Sequence, residues 1–202
     1  MRFGLLLTGL ITLVMLPAAC ADEDASTPTT TAEASTTTSA RLAAGGRRAR
    51  EVETFSGRSE ANFPKAFDDP DNLVVGPFVL VGAALPTPAG TVESIGGQKH
   101  PVLVRNGHEV TLRVPKSARD QISLGYGSLP QGDVGYRDGH PAVTFVGCGP
   151  GEDSGSLVAP GEPITFWSGF VFALEPSCAP LDVHVDGEAE PQRIETPLEA
   201  TC

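Results

Sequence analysis

Basic residues are scarce in this chain. Its 202 residues include 14 Lys and Arg against 25 Asp and Glu, a formal net charge of −11. A surface of that sign repels phosphate, so a nucleic-acid partner is not expected. Nor would such a body adhere electrostatically to an anionic membrane. Phosphate-cradling glycine patterns are missing: there is no GxxxxGK and no strand–GxGxxG–helix. Neither a CxxC nor a Cys/His cluster occurs, so no cysteine metal site is expected and no cofactor is implied. No stretch of useful length repeats its apolar residues at the helical period, and only Pro115 to Gln121 hints at a helical turn.

What is present begins with an export signal. Arg2 supplies a minimal basic start, and Phe3 to Leu16 is an apolar run interrupted by Gly4, Thr8, Gly9 and Thr12. This is too short to span a bilayer as a mature helix and about right for a signal-peptide core. The run ends in Leu16-Pro17-Ala18-Ala19-Cys20, small residues just before a cysteine. That ending resembles the lipobox of bacterial lipoproteins, whose cysteine sulfur takes a diacylglycerol and becomes the new N-terminus. It departs from the pattern at Pro17, where leucine is usual. The alternative is ordinary signal-peptidase cleavage beside a chance cysteine. Residues 1–19 are thus expected to be a lipoprotein signal peptide, with Cys20 the lipidated residue. Its two acyl chains supply the grip that stable membrane attachment needs.

Ala21 to Ala40 holds seven threonines, three serines and five alanines, and no large apolar residue. Such a segment cannot bury enough surface to offset the entropy of ordering it. It reads as a tether, continuing past the basic cluster Arg47-Arg48-Ala49-Arg50 to residue 71, with the folded domain over 72–202. Fifty flexible residues span about 40 Å root-mean-square. From Asn72 onward apolar residues come in short runs punctuated by Gly, Pro and Asn. Strands are expected over Leu73–Gly82 (with Gly76-Pro77 a kink or edge feature), Gln121–Tyr126, Ala142–Cys148, Pro163–Ala173 and Leu181–Val185. Val102–Val104 and Val110–Val114 flank Asn106-Gly107 and read as a hairpin. Seven or eight short strands in about 130 residues imply an all-β fold, an immunoglobulin-like antiparallel β-sandwich.

With Cys20 lipidated, Cys148, Cys178 and Cys202 remain, an odd number for an exported protein. Cys148 ends one expected strand and Cys178 follows another. The reading favours a Cys148–Cys178 disulfide, closing a loop worth about 3–4 kcal/mol on the chain-entropy model. Cys202 would compete for either partner, stay free or bridge chains.

Four pieces, taken in order, carry a family resemblance. They are Ala142-Val143-Thr144-Phe145-Val146-Gly147-Cys148, Trp167-Ser168-Gly169-Phe170-Val171, Pro176-Ser177-Cys178-Ala179-Pro180-Leu181-Asp182-Val183, and Cys202. Together they resemble an uncharacterised family of exported proteins and lipoproteins from high-GC Gram-positive bacteria. The likeness covers about residues 73–202 and implies fold and localisation, not an activity.

Three groups of residues invite a chemical reading. Glu152-Asp153-Ser154-Gly155-Ser156 resembles the nucleophile loop of trypsin-like serine proteases, usually Gly-Asp-Ser-Gly-Gly. A serine hydrolase needs a histidine base, an orienting carboxylate and a preorganised oxyanion hole. Glu152 stands where that hole needs a glycine, and the histidine signature is missing: His100, His108 and His140 lie in turn-like contexts. The stretch therefore reads as a polar turn between strands. Asp182, His184 and Asp186 alternate, so a strand would put all three on one face. They are weighed as cation ligands against the solvated face of a strand whose Val183 and Val185 point to the core. Tyr126, Asp133, Tyr136, Asp138 and His140 lie in or beside a Gly-rich loop, Gly125–Gly139, and Tyr126, Tyr136 and His140 are the candidate ligand contacts. Trp167 reads as core.

The expectation is a lipoprotein on the extracellular face of the cell membrane, with a non-catalytic binding or structural domain. It would touch the membrane only through its lipid and take a protein or a cell-wall glycan as partner. The alternative is a small extracellular serine hydrolase using Ser154.

Overall fold

The computed structural model describes residues 53–55, 61–127, 134–159 and 161–202. Residues 1–19, expected to be a signal peptide, Cys20, the Thr/Ser-rich stretch, the Arg47–Arg50 cluster and Asp133 lie outside the described residues.

The described chain is an all-β sandwich. One five-stranded sheet runs in the order β1-β9-β7-β13-β14. Its strands are β1 (Glu53–Phe55), β9 (Ala142–Val146), β7 (Glu109–Arg113), β13 (Ser177–Val185) and β14 (Gln192–Leu198). A six-stranded sheet follows the order β2-β10-β11-β6-β4-β3. It is built from β2 (Ala61–Asn62), β10 (Ser156–Ala159), β11 (Glu162–Trp167), β6 (Val102–Arg105), β4 (Phe78–Leu80) and β3 (Leu73–Val75). A third, smaller sheet is formed by β5 (Gly97–Lys99), β12 (Gly169–Ala173) and β8 (Ile122–Tyr126). The short helix α1 (Thr91–Ile95) leads into β5.

Alternation of side chains explains the layering. On β13, Ala179, Leu181, Val183 and Val185 are buried, while the residues between them are half-buried. Val110 and Leu112 of β7 and Val143 and Phe145 of β9 turn the same way. They meet Phe78 and Leu80 of β4, Val102 and Val104 of β6 and Trp167 of β11 from the facing sheet. Phe145 stands at the centre of this layer. Its ring centroid is 5.1 Å from Tyr126, 5.1 Å from Trp167 and 6.3 Å from Phe78. Pro180, which has no N–H to donate, sits where β13 pairs β14 but has not yet reached β7, whose pairing begins at Asp182. The tyrosine ring at position 126 packs closely against Gly169, where a Cβ would stand 2.1 Å from Tyr126 Cδ1.

The Asn106-Gly107 hairpin is not formed. Strand β6 pairs β4 and β11, whereas β7 pairs β9 and β13, so the chain crosses from one sheet to the other at this point. Gly107 has the expected left-handed φ, +82°. Its N–H donates to the Cys148 carbonyl at 2.7 Å, and Thr165 Oγ1 donates to Asn106 Oδ1 at 2.9 Å. Those contacts hold the turn to other strands. Alternating valines on both arms suit an arch as well as a hairpin, because either way they face one core.

Three further differences have local causes. Gly76-Pro77 is the two-residue turn of a β3–β4 hairpin, with Gly76 at φ +52°. The expected strand Pro163–Ala173 divides at Ser168, sending β11 and β12 to different sheets. The folded unit also starts before residue 72. Residues Glu53–Phe55 pair with β9, and Ala61–Asp71 cross the outer face of the six-stranded sheet. There Phe63 stacks on Phe166 at 5.4 Å, and Ala66 and Phe67 cover Val79, Leu103, Val158 and Ile164.

The cysteine pairing is corrected as well. Cys178 bonds Cys202, with the Cα atoms 5.7 Å apart, and not Cys148. Register gives the reason. Cys148 follows β9 at the end where Val146 faces Glu109, whose carbonyl accepts from Asp186 N–H. Cys178 lies eight residues back along β13, about 26 Å at the usual rise per residue. A disulfide requires Cα atoms within about 7 Å. Cys178 instead faces Pro197 across β14, close to the turn that brings Cys202 back.

Candidate functional site

Ser154 is fully buried at 0 % exposure, and its hydroxyl donates to the backbone carbonyl of Ser156 at 3.2 Å. The loop around it is a chain of local turns. Glu152 returns its carboxylate to the Gly149 N–H, and its own N–H donates to the Gly149 carbonyl. Asp153 accepts from the Gly155 N–H at 2.8 Å, and Asn106 Nδ2 donates to the Glu152 carbonyl at 3.0 Å. The Ser154 hydroxyl and the N–H groups of Gly149, Glu152 and Gly155 are engaged within the fold, as in a polar turn.

The three expected ligand contacts sit in different settings. Tyr126 is a core residue at 0 % exposure, its hydroxyl donating to the His100 carbonyl at 2.7 Å. Burial raises its pKa well above the usual tyrosine value. The expectation of an exposed loop tyrosine fails at this position because Tyr126 ends β8 and faces Phe145. Tyr136 is half-buried, with its hydroxyl donating to the Arg119 carbonyl while its own carbonyl accepts from Ser123 Oγ at 2.6 Å. His140 pairs its backbone with Leu124 in both directions, at 2.8 and 2.9 Å. Asp138 accepts from the Gly135 N–H at 3.1 Å. The segment is thus a built turn against β8.

Asp182 and His184 lie on the outer face of β13, with Val183 and Val185 buried behind them, and Asp186 follows in the exposed turn after the strand. Asp182 is held by the Arg193 guanidinium across β14. Their ligand atoms do not converge. Among the described residues, one His/Cys/Asp/Glu trio brings its atoms within 4.8 Å: Cys178, Glu195 and Cys202. Two of those sulfurs are in the disulfide.

Two features escaped the sequence reading. One is His100, 2 % exposed, whose Nδ1–H donates to the Val81 carbonyl at 3.0 Å. That bond fixes the neutral tautomer and leaves Nε2 buried without a partner among the described residues. Desolvation lowers its pKa, against a smaller upward pull from the Val81 carbonyl. Below the unfolded-state value of about 6.5 the unfolded chain takes up a proton that the folded chain refuses. Stability should therefore fall as pH drops below about 6.5, with no contribution from His100 above it. The slope from this group is at most about 1.4 kcal/mol per pH unit. Urea unfolding at pH 7.5 and 5.5 would show a smaller loss for His100→Phe than for the parent; equal losses would remove His100 from the account. Its Lys-His-Pro setting looks like a turn, and only the tertiary fold buries it.

The other feature is a groove beside the Ala61–Asp71 strap. A cavity of about 380 Å³ is lined by Pro64, Lys65, Phe67, Asp68, Arg105 and Glu162, among others. The Arg105 guanidinium lies 3.9 Å from the Phe67 ring centroid and forms an ion pair with Glu162 at 2.5 Å. A smaller adjoining cavity runs along Asn62, Pro64 and Leu157 to Ala159. Phe63 and Phe67 were the available signal: two large apolar residues where the Thr/Ser-rich stretch has none. None of Ser154, Tyr136 and His140 lines these cavities.

The chain matches no protein-family model and no curated protein.

Proposed function

We propose that this is a lipid-anchored protein of the extracellular face of the cell membrane, whose β-sandwich works by binding or as a structural component without catalysis. The observation that carries the reading is the Cys178–Cys202 disulfide. Such bonds persist in oxidising compartments, outside the cytosol. The apolar run before Cys20 supports export, and Leu16-Pro17-Ala18-Ala19-Cys20 supports lipidation. The family resemblance over residues 73–202 points the same way. A non-catalytic role draws support from the hydroxyls of Ser154, Tyr126 and Tyr136, each donating to a backbone carbonyl. The strap groove, with Arg105 and Phe67, is the surface best shaped to meet a protein or a wall glycan.

The test is expression of the full chain in a Gram-positive host, followed by mass spectrometry of the N-terminal peptide. A diacylglycerol thioether on Cys20, with loss of membrane association in Cys20→Ala, is the expected result. An unmodified or disulfide-bonded Cys20 on a freely released protein overturns the anchor. A fluorophosphonate probe addresses the alternative: no labelling of the parent is expected, and labelling abolished by Ser154→Ala would establish a serine hydrolase instead.

A further inference from the structure

The segment Ala83–Gly96 hangs from the end of β14 by a series of contacts. Thr196 Oγ1 donates to the Ala83 carbonyl at 2.9 Å. Thr87 sends both its N–H and its hydroxyl to the Pro197 carbonyl, at 3.1 Å each. Glu199 closes the series. Its carboxylate accepts from Gly90 N–H at 2.9 Å and from Val92 N–H, the open donors at the start of α1. No side chain of the helix's own cap residue, Gly90, does this work.

Glu199 reaches that position through an uncommon backbone. It is one of two non-glycine residues with positive φ among the described residues, at +54°. A side chain in the left-handed region is held there by its surroundings and not by preference. On one side the last β13–β14 pair, Ser177 with Leu198, fixes the strand end. On the other, Cys202 is bonded to Cys178, so the chain must reverse between them. The disulfide therefore imposes the turn that aims Glu199 at α1.

We propose that Cys178–Cys202 and Glu199 form a redox-sensitive latch: the bond holds Glu199 on the α1 N-terminus, and its reduction releases Thr87–Gly96 while leaving the sandwich folded. The reductant is a dithiol. It supplies two electrons and two protons, the S–S bond breaks to give two thiols, and the dithiol closes to its own disulfide. Released, the segment would lose the Glu199 bonds, and α1 is too short to persist without them. What moves carries the half-accessible Ile95 and would draw Val92 out of the core.

Hydrogen exchange of the full exported domain reads this directly. The double variant Cys178→Ser/Cys202→Ser opens the bond without a reductant. Glu199→Gly removes the carboxylate, keeps the disulfide and suits the left-handed turn. Both should quicken exchange over residues 87–96 by about tenfold or more. In Glu199→Gly the amides of β7 and β9 should change far less, and in the double variant they should rise only by the factor that its lost global stability gives. Treatment of the parent with dithiothreitol should reproduce the double variant. Unchanged rates over 87–96 in the double variant overturn the latch. So does a rise over 87–96 in Glu199→Gly no larger than in β7 and β9, since the carboxylate would then stabilise the domain globally and not the segment. If Glu199→Gly alone leaves the segment protected, Glu199 is not the link.

Discussion

Phe145→Ala should destabilise the domain by about 3–5 kcal/mol, a large part of what a domain of this size has. Phe145 is fully buried, and three aromatic rings from three different strands close on it. Phe78 comes from β4, Trp167 from β11 and Tyr126 from β8, so its loss opens a cavity where all three sheets meet. Collapse around that cavity is hindered. Tyr126 is pinned by its hydroxyl to the His100 carbonyl and by the close approach of its ring to Gly169. Phe145→Leu keeps most of the volume and should lose less than half as much. Denaturant unfolding of both variants checks this. A loss under about 1.5 kcal/mol for Phe145→Ala would mean that the three rings repack around the missing one.

Removal of the Cys178–Cys202 bond is the second large effect. The residues are 24 apart in sequence, and a loop of that size corresponds to about 3–4 kcal/mol on the chain-entropy model. Native geometry does not depend on the bond for its sheet register, because seven successive pairs from Ser177–Leu198 to Val183–Gln192 already align β13 and β14. The cost should therefore appear mainly as a lower unfolding midpoint with the sandwich intact. Double replacement by serine, followed by denaturant unfolding and far-UV circular dichroism, separates the two. A change below about 1 kcal/mol would show that the unfolded chain is little constrained by the ring.

Sequence patterning reached some of this and missed the rest for reasons that lie in particular residues. Alternation at Val183 and Val185 located the inward face of β13, and Trp167 was readable as core. The all-β class followed from the missing helical period and the short apolar runs. Partnering was not readable. Asn106-Gly107 signals a positive φ, and that need is met equally by a turn within a sheet and by a crossing between sheets. Cys148 and Cys178 each follow a run of apolar residues, but only the register of β13 on β7 shows that they lie at opposite ends. One candidate ligand contact failed in the same way. Tyr126 borders a glycine-rich loop in sequence, yet as the last residue of β8 it enters the core. His100 and the strap over β10 depend on contacts made by distant segments, which no local window contains.

The crossings between sheets also set how the chain must assemble in time. Few strands pair with their neighbour in sequence: β3 with β4, β10 with β11 and β13 with β14 do. Elsewhere the partners are remote, as in Glu53 with Val143 and Leu103 with Phe166. Each such pairing requires a long loop to close before it is rewarded by contacts, which places a chain of this kind among the millisecond-to-second folders. During that interval β6 and β7 are joined by a few residues but cannot pair their backbones with each other. Their edges stay open until strands from both ends of the domain arrive.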